Sequence, residues 1–272
     1  MFASSSNQGR LDDSQQLVKL LSAERLAPLL ALTGAYPAAI DLHLDILRLG
    51  GTLLTVTGVI EVALRNAVCE CMEQHFGRPD WLSTPFPTFQ WLPSERQRIR
   101  LAESNARKAM YAKLSPAARA AFKNLASVPA VSGDVSQPGT PDHASVPSGQ
   151  VVAQLTLFFW KRLYSDDYDK RLWRRMLKST FPNKALSRAD VASKLEILYQ
   201  NRNRVAHHEP VHGRRLREAL QAIDFVVNEF GDTDAEGKRY LSRLLDRDIQ
   251  RLKADARILQ ATLTGFKRSG SG

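Results

Sequence analysis

The stretch SRADVASKLEILYQNRNRVAHHEP, residues 187–210, decides the fold class. Ser187 has the side chain of a helix N-cap, and Asp190, three residues on, completes a capping-box-like start. From there Val191, Leu195, Leu198, Arg202 and Val205 recur at spacings of four, three, four and three. That rhythm is one helical face turned to a core, with an arginine in it. A second row, Glu196, Gln200, Asn203 and His207, keeps the rhythm about 140° round the axis and is a line of hydrogen-bonding groups ending in an imidazole. Pro210 closes the segment. It has no N–H to bond the carbonyl of residue 206, its ring clashes there at about 3 kcal/mol, and it pushes Glu209 toward extended geometry. The helix is predicted to stop at about 208.

Working outward, apolar residues recur at helical spacing through most of the chain, and no alternating run bounded by hairpin turns interrupts them. The predicted class is all-α. Candidate helices cover roughly 12–33 with a break, 37–49, 52–76, 94–112, 116–126, 150–164, 168–178, 188–208, 214–230 and 234–263. The segment 127–150, with four prolines and three glycines, has too little apolar surface to offset the entropy of ordering and is expected to be a flexible insertion within a single domain spanning 1–272. KRSGSG, 267–272, reads as a flexible tail. Leu241, Leu244, Leu245, Leu252 and Leu259 give the last helix an apolar face that covers the bundle or meets a partner.

A net charge of +10, from 38 Lys+Arg and 28 Asp+Glu, favours an anionic partner such as nucleic acid. The apolar region 42–64 carries His43, Asp45, Arg48 and Glu61 and is broken by Gly50-Gly51, so it reads as a buried helix with no membrane role. Cys69 and Cys71, two apart on a helix, point to different sides and cannot pair with one another. With a first segment that lacks a signal-peptide layout, they point to a cytoplasmic protein.

His208-Glu209-Pro210-Val211-His212 literally matches the H-E-x-x-H string of zinc metalloproteases. That chemistry needs both histidines four apart on one continuous helix, facing one metal. Pro210 falls between them, so no metal or other cofactor is assigned. Arg202 and, after four intervening residues, His207 form the other reading.

The string NRNRVAHHEP resembles the signature of Abi-like abortive-infection proteins within the HEPN superfamily, whose motif is an arginine, four to six residues and a histidine, often with a polar residue after the arginine. LSAERLAPLLAL (21–32), VIEVALRNAVCECMEQHFGRPDWL (59–82), VVAQLTLFFWKRLYSDDYDKRLWRRMLKSTFP (151–182) and the helix 188–208 resemble successive blocks of that family in the same order, over about two-thirds of the chain. Asn201 stands where the family commonly has leucine, and 127–150 is outside the family core.

The resemblance implies a HEPN-type helical bundle with additional N- and C-terminal helices, and a metal-independent endoribonuclease that acts as a toxic effector of bacterial anti-phage defence. Carried onto this chain, Arg202 and His207 are catalytic and Asn203 is the accompanying polar residue. His208 and Glu209 are supporting groups, with His208 also satisfying the motif spacing. Glu61, Arg65 and Asn66 are further cleft candidates. Arg204, Arg214, Arg215 and Arg217 are candidate RNA contacts, ahead of the basic and aromatic segment 158–178, whose Asp166, Asp167 and Asp169 dilute its charge. Because Arg202 and His207 project about 140° apart, a homodimer with a composite site is expected, each arginine meeting its partner's histidine. An antitoxin or regulatory partner is expected too. The alternative is a non-catalytic HEPN-fold module that binds RNA or nucleotide through a partner.

Overall fold

The computed structural model describes residues 16–82, 89–119 and 146–269. The fold is all-α: among the described residues there is no strand, and Thr233 and Arg239 form an isolated bridge. Its helices include α1 (Ala23–Thr33), α2 (Tyr36–Phe76), α3 (Pro93–Lys113), α4 (Ser148–Gln154), α5 (Leu157–Arg162), α6 (Arg188–Ala206), α7 (Gly213–Glu229) and α8 (Tyr240–Ser269). They gather into two compact units, one of Met1–Ile60 with Ser193–Gly272, the other of Glu61–Ala192. The chain passes between units inside α2 and inside α6.

In the first unit, α7 packs on α8 and α8 on α1. The buried face of α8 is Leu241, Leu245, Ile249, Leu252, Ala256, Leu259 and Leu263. Leu244, assigned to that face from the sequence, is 68% exposed because it falls outside the three-and-four rhythm. The start of α8 lies six residues later than the sequence suggests. Asp234 accepts from Glu236 N (3.1 Å) and Lys238 N (2.8 Å), folding 234–238 into a turn with Gly237 at φ 78°, and Arg243 ion-pairs with it at 2.8 Å. The Arg243 hydrogen bond, foremost, holds the Asp234 carboxyl below its ordinary range.

The break predicted at Gly50-Gly51 does not occur: α2 runs through both. By length and composition α2 is apolar enough to cross a membrane, and 39% of its most apolar window is buried, about the share that one core-facing stripe of a helix covers. In the first unit that stripe is Leu42, Ile46, Leu49, Leu53, Val56 and Ile60. Gly50 is buried because α6 comes close: a Cβ built on it would lie 2.8 Å from Val205 Cγ1, whereas one on Gly51 would meet nothing within 4 Å. Contact, not turn formation, selects the first glycine. Gly50→Ala is therefore expected to destabilise by about 1–2 kcal/mol, overpacking against a stiff β-branched side chain outweighing the gain in helix propensity. Gly51→Ala should stabilise by about 0.5–1 kcal/mol. Thermal unfolding of the two variants measures the opposite signs.

In the second unit α3 packs against α4. Two predicted helices are remodelled there. Residues 150–164 form α4 and α5 with an extended Thr156 between them (φ −94°, ψ 170°), and Leu155 and Leu157 on either side of it are both buried. The segment predicted as a helix over 168–178 is a 3₁₀ turn (Asp166–Tyr168), a π turn (Asp169–Trp173) and a second 3₁₀ turn (Leu177–Thr180). This winding buries Tyr168, Leu172, Trp173, Leu177 and Phe181 together. Its aspartates do not dilute the charge evenly: Asp167 pairs with Arg162, and Asp166 and Asp169 pair with Arg188, Asp169 also with Arg174.

Cys69 and Cys71 are free and half-buried; burial, then Glu73, pushes the Cys69 thiol up to about 12, leaving it protonated at neutral pH. Residues 127–145 of the expected insertion, and parts of the candidate helices 12–33 and 116–126, lie outside the described residues. Residues 148–150 open α4, and Lys267 to Ser269, assigned to the tail, continue α8.

Candidate functional site

The helix that carries the arginine–histidine motif begins as its sequence dictates. Ser187 Oγ accepts from Asp190 N at 3.2 Å, and Asp190 Oδ2 accepts from Ser187 N at 2.9 Å, the reciprocal bonds of a capping box. At its other end α6 stops at Ala206, within two residues of the predicted boundary. His207 N still donates to Asn203 O (3.0 Å). Then the chain turns back: His208 is left-handed at φ 56°, His208 N donates to Val205 O (2.9 Å) and Glu209 N to Arg204 O (2.8 Å). Those two bonds are the Schellman closure, which satisfies the last carbonyls and is followed here by Pro210. Glycine is the usual residue at that position; histidine there costs about 1 kcal/mol. Both His207 and His208 are exposed.

Two arginines fasten this turn. Arg25 of α1 donates Nη1 to His208 O at 2.9 Å, and Arg204 pairs with Glu209 at 2.9 Å while its Nε is buried without a hydrogen-bond partner. Arg204, read from the sequence as an RNA contact, and Glu209, read as a supporting group, are thus partners of one another across the helix end. Arg25 was not singled out in the sequence, and no local signal marks a contact 183 residues away. Arg202 is half-buried, with Nη1 3.5 Å from Asn203 Oδ1, the outer limit of a hydrogen bond, so the two polar groups of the motif sit side by side. Asn201, beside Arg202, is buried; its Nδ2 donates to Ile197 O at 2.8 Å and its Oδ1 has no partner among the described residues.

The H-E-x-x-H string is not helical. His208 lies in the left-handed turn and His212 is the extended cap of α7 (φ −147°, ψ 179°), so the two do not share a helix face. His212 is half-buried; desolvation, then Lys267, lowers its pKa and keeps it neutral at pH 7.

Beyond His212, α7 opens with Arg214, Arg215 and Arg217, all exposed. Arg214 pairs with Glu218 at 2.7 Å, while Arg215 and Arg217 have no carboxylate partner among the described residues. Cations in a first helical turn face the positive end of the macrodipole, so this placement opposes helix stability and favours an arriving anion. The structure thereby brings Arg202, Asn203, Arg204, His207, His208 and Glu209 to one helix end and sets Arg214, Arg215 and Arg217 at the start of the next. Glu61, Arg65 and Asn66 belong to the other unit, on α2; Glu61 and Arg65 are half-buried, Asn66 is exposed, and Arg65 Nε is buried without a hydrogen-bond partner.

No family model, curated protein or solved structure matches the chain. What the site can do follows from its own groups. Imidazoles exchange protons near neutral pH, and guanidiniums hold phosphate oxygens through a planar fork of donors.

Proposed function

We propose that the protein is a metal-independent endoribonuclease of the Abi-like HEPN kind. The observation that carries this reading is the closed end of α6, where two exposed histidines stand on a left-handed turn beyond Arg202, fixed by Arg25 and by the Arg204–Glu209 pair. A strained, doubly fastened turn that displays imidazoles to solvent is a means of holding proton-transfer groups still.

In the proposed reaction His207 takes the proton of the RNA 2′-OH. The 2′-oxygen bonds to the adjacent phosphorus, the bond from phosphorus to the 5′-oxygen breaks, and that oxygen leaves carrying a proton from an acid, with His208 the nearest candidate in sequence. The products are a 2′,3′-cyclic phosphate and a free 5′-OH. Arg202 holds the phosphate and stabilises the charge of the pentacoordinate transition state, with Asn203 beside it. Arg215 and Arg217 draw the RNA backbone in. A homodimer supplies the arginine of one protomer to the histidine of its partner. The cellular setting that goes with this activity is cytoplasmic anti-phage defence by a toxic effector, restrained by an antitoxin or a trigger.

The test is incubation of purified protein with mixed cellular RNA in EDTA, beside His207→Ala and Arg202→Ala. Cleavage that survives chelation and falls about 10²–10⁴-fold in each variant is the expected result. RNA binding without cleavage by the unaltered protein replaces this reading with the non-catalytic binding module, and cleavage lost to the chelator overturns the metal-independent step.

A further inference from the structure

The second unit holds a cavity of about 440 Å³ that the nuclease reading does not use. Its aromatic wall is Phe76, Phe89 and Trp91 and its basic wall Arg96, Arg171 and Arg175; no carboxylate is among its described lining residues. The rings of the aromatic wall pack on one another. Phe89 meets Trp91 edge to face at 4.8 Å and Phe76 at 5.6 Å, and the Trp91 indole N–H is fixed on Leu82 O at 3.2 Å. Trp91 also lies 5.7 Å from Phe159, yet it is only half-buried, leaving aromatic surface open to the cavity.

The basic wall is set by backbone contacts. Arg96 donates Nη2 to Trp91 O at 3.2 Å, which engages one of its five donors, and Arg171 Nη1 lies 3.5 Å from Gln90 O. Arg171 and Arg175 come from the π turn and its continuation, closed by Arg174 N donating to Asp169 O at 3.0 Å; such turns recur at functional sites. The aspartates of that segment pair with Arg162, Arg174 and Arg188. Arg171 and Arg175 are left exposed with no carboxylate partner among the described residues. Three guanidiniums over a cavity without a carboxylate call for a strongly charged anion, and the flat aromatic wall beside them calls for a ring.

We propose that this cavity is a binding site for a phosphorylated heteroaromatic ligand of mononucleotide size, the phosphate held by Arg96, Arg171 and Arg175 and the base lying against Trp91 and Phe76. The same chemistry is presented by a free nucleoside monophosphate and by the 5′-phosphorylated end of a nucleic acid strand. The site does not depend on Arg202 or His207, which lie in the other unit.

Calorimetric titration of the full-length His207→Ala protein, which on the nuclease reading leaves RNA intact, tests the assignment. Probes are the four ribonucleoside monophosphates, their nucleosides, inorganic phosphate, and a tetranucleotide with and without a 5′-phosphate. The expected result is saturable binding of at least one monophosphate, about tenfold or more tighter than its nucleoside or phosphate alone, and weakened about tenfold or more by Arg171→Ala with Arg175→Ala. Both substitutions are at exposed positions, so the fold survives them. Tighter binding of the 5′-phosphorylated tetranucleotide than of the monophosphate assigns the site to strand ends; the reverse assigns it to free nucleotides. Absence of saturable binding by every phosphorylated probe overturns the proposal, as does binding indifferent to the double substitution or binding lost in Arg202→Ala instead. Cleavage-negative protein that still binds through Arg171 and Arg175 separates failure of the nuclease reading from failure of this one.

Discussion

On the proposed nuclease reading, mixing the His207→Ala and Arg202→Ala proteins is expected to restore about a quarter of the unaltered protein's RNA cleavage, because statistical exchange would make about half of the proposed dimers mixed and each would rebuild one of its two composite sites. One protomer of the mixed dimer supplies Arg202 and the other His207; the remaining site lacks both. The residues themselves set up this arithmetic. On a regular helix the two positions diverge by about 140°, and α6 stays helical until Ala206, so the backbone does not swing His207 round to Arg202 before the chain turns. The measurement is the initial rate of the mixture after subunit exchange, against each variant alone at the same total concentration. A protomer that completed the site by itself gives no recovery on mixing, and that result removes the dimer from the mechanism.

The all-α class was legible because Val191, Leu195 and Leu198 repeat at helical spacing and Ser187 and Asp190 cap the helix they begin. Pro210 likewise announced the end of α6. What escaped the sequence depends on distant neighbours. Gly50 looks like a helix breaker until Val205 is placed beside it. The segment 166–180 carries helical spacing, but its tyrosine, tryptophan and leucines bury together only through π and 3₁₀ turns. At the site, the motif residues could be named from the sequence, but the manner in which they are held could not. The left-handed histidine, the clamp from Arg25 and the unpaired Asn201 Oδ1 are departures from local preference that only the folded chain displays. Such departures, gathered at one helix end, are the physical reason to look for function there.

Replacing Glu95 with alanine is the second large effect, here on stability: a loss of about 3 kcal/mol, as when one partner of a buried ion pair is removed. Glu95 lies in the first turn of α3 and is fully buried. Its Oε1 accepts from Arg162 Nε at 3.1 Å, and its Oε2 from the Tyr168 hydroxyl at 3.0 Å and from Ser94 Oγ at 3.0 Å. The Tyr168 hydroxyl in turn accepts from Leu92 N at 3.3 Å, and burial, foremost, raises its pKa, so it stays protonated and donates. Alanine leaves a buried hydroxyl without its acceptor and a guanidinium, 26% exposed, with only Asp167 opposite. Glu95→Gln keeps an acceptor for Tyr168 while removing the charge, and a smaller loss of about 1–2 kcal/mol is expected. Chemical denaturation of both variants measures the difference. The same network anchors Leu92 and the first turn of α3, which carry Trp91 and Arg96 into the cavity. Glu95→Ala, which removes the acceptor of Tyr168, should therefore also weaken monophosphate binding while leaving Arg171 and Arg175 untouched, and Glu95→Gln, which keeps that acceptor, should weaken it less. Equal destabilisation by alanine and glutamine would instead place the whole contribution in the ion pair with Arg162 and none in the hydroxyl of Tyr168.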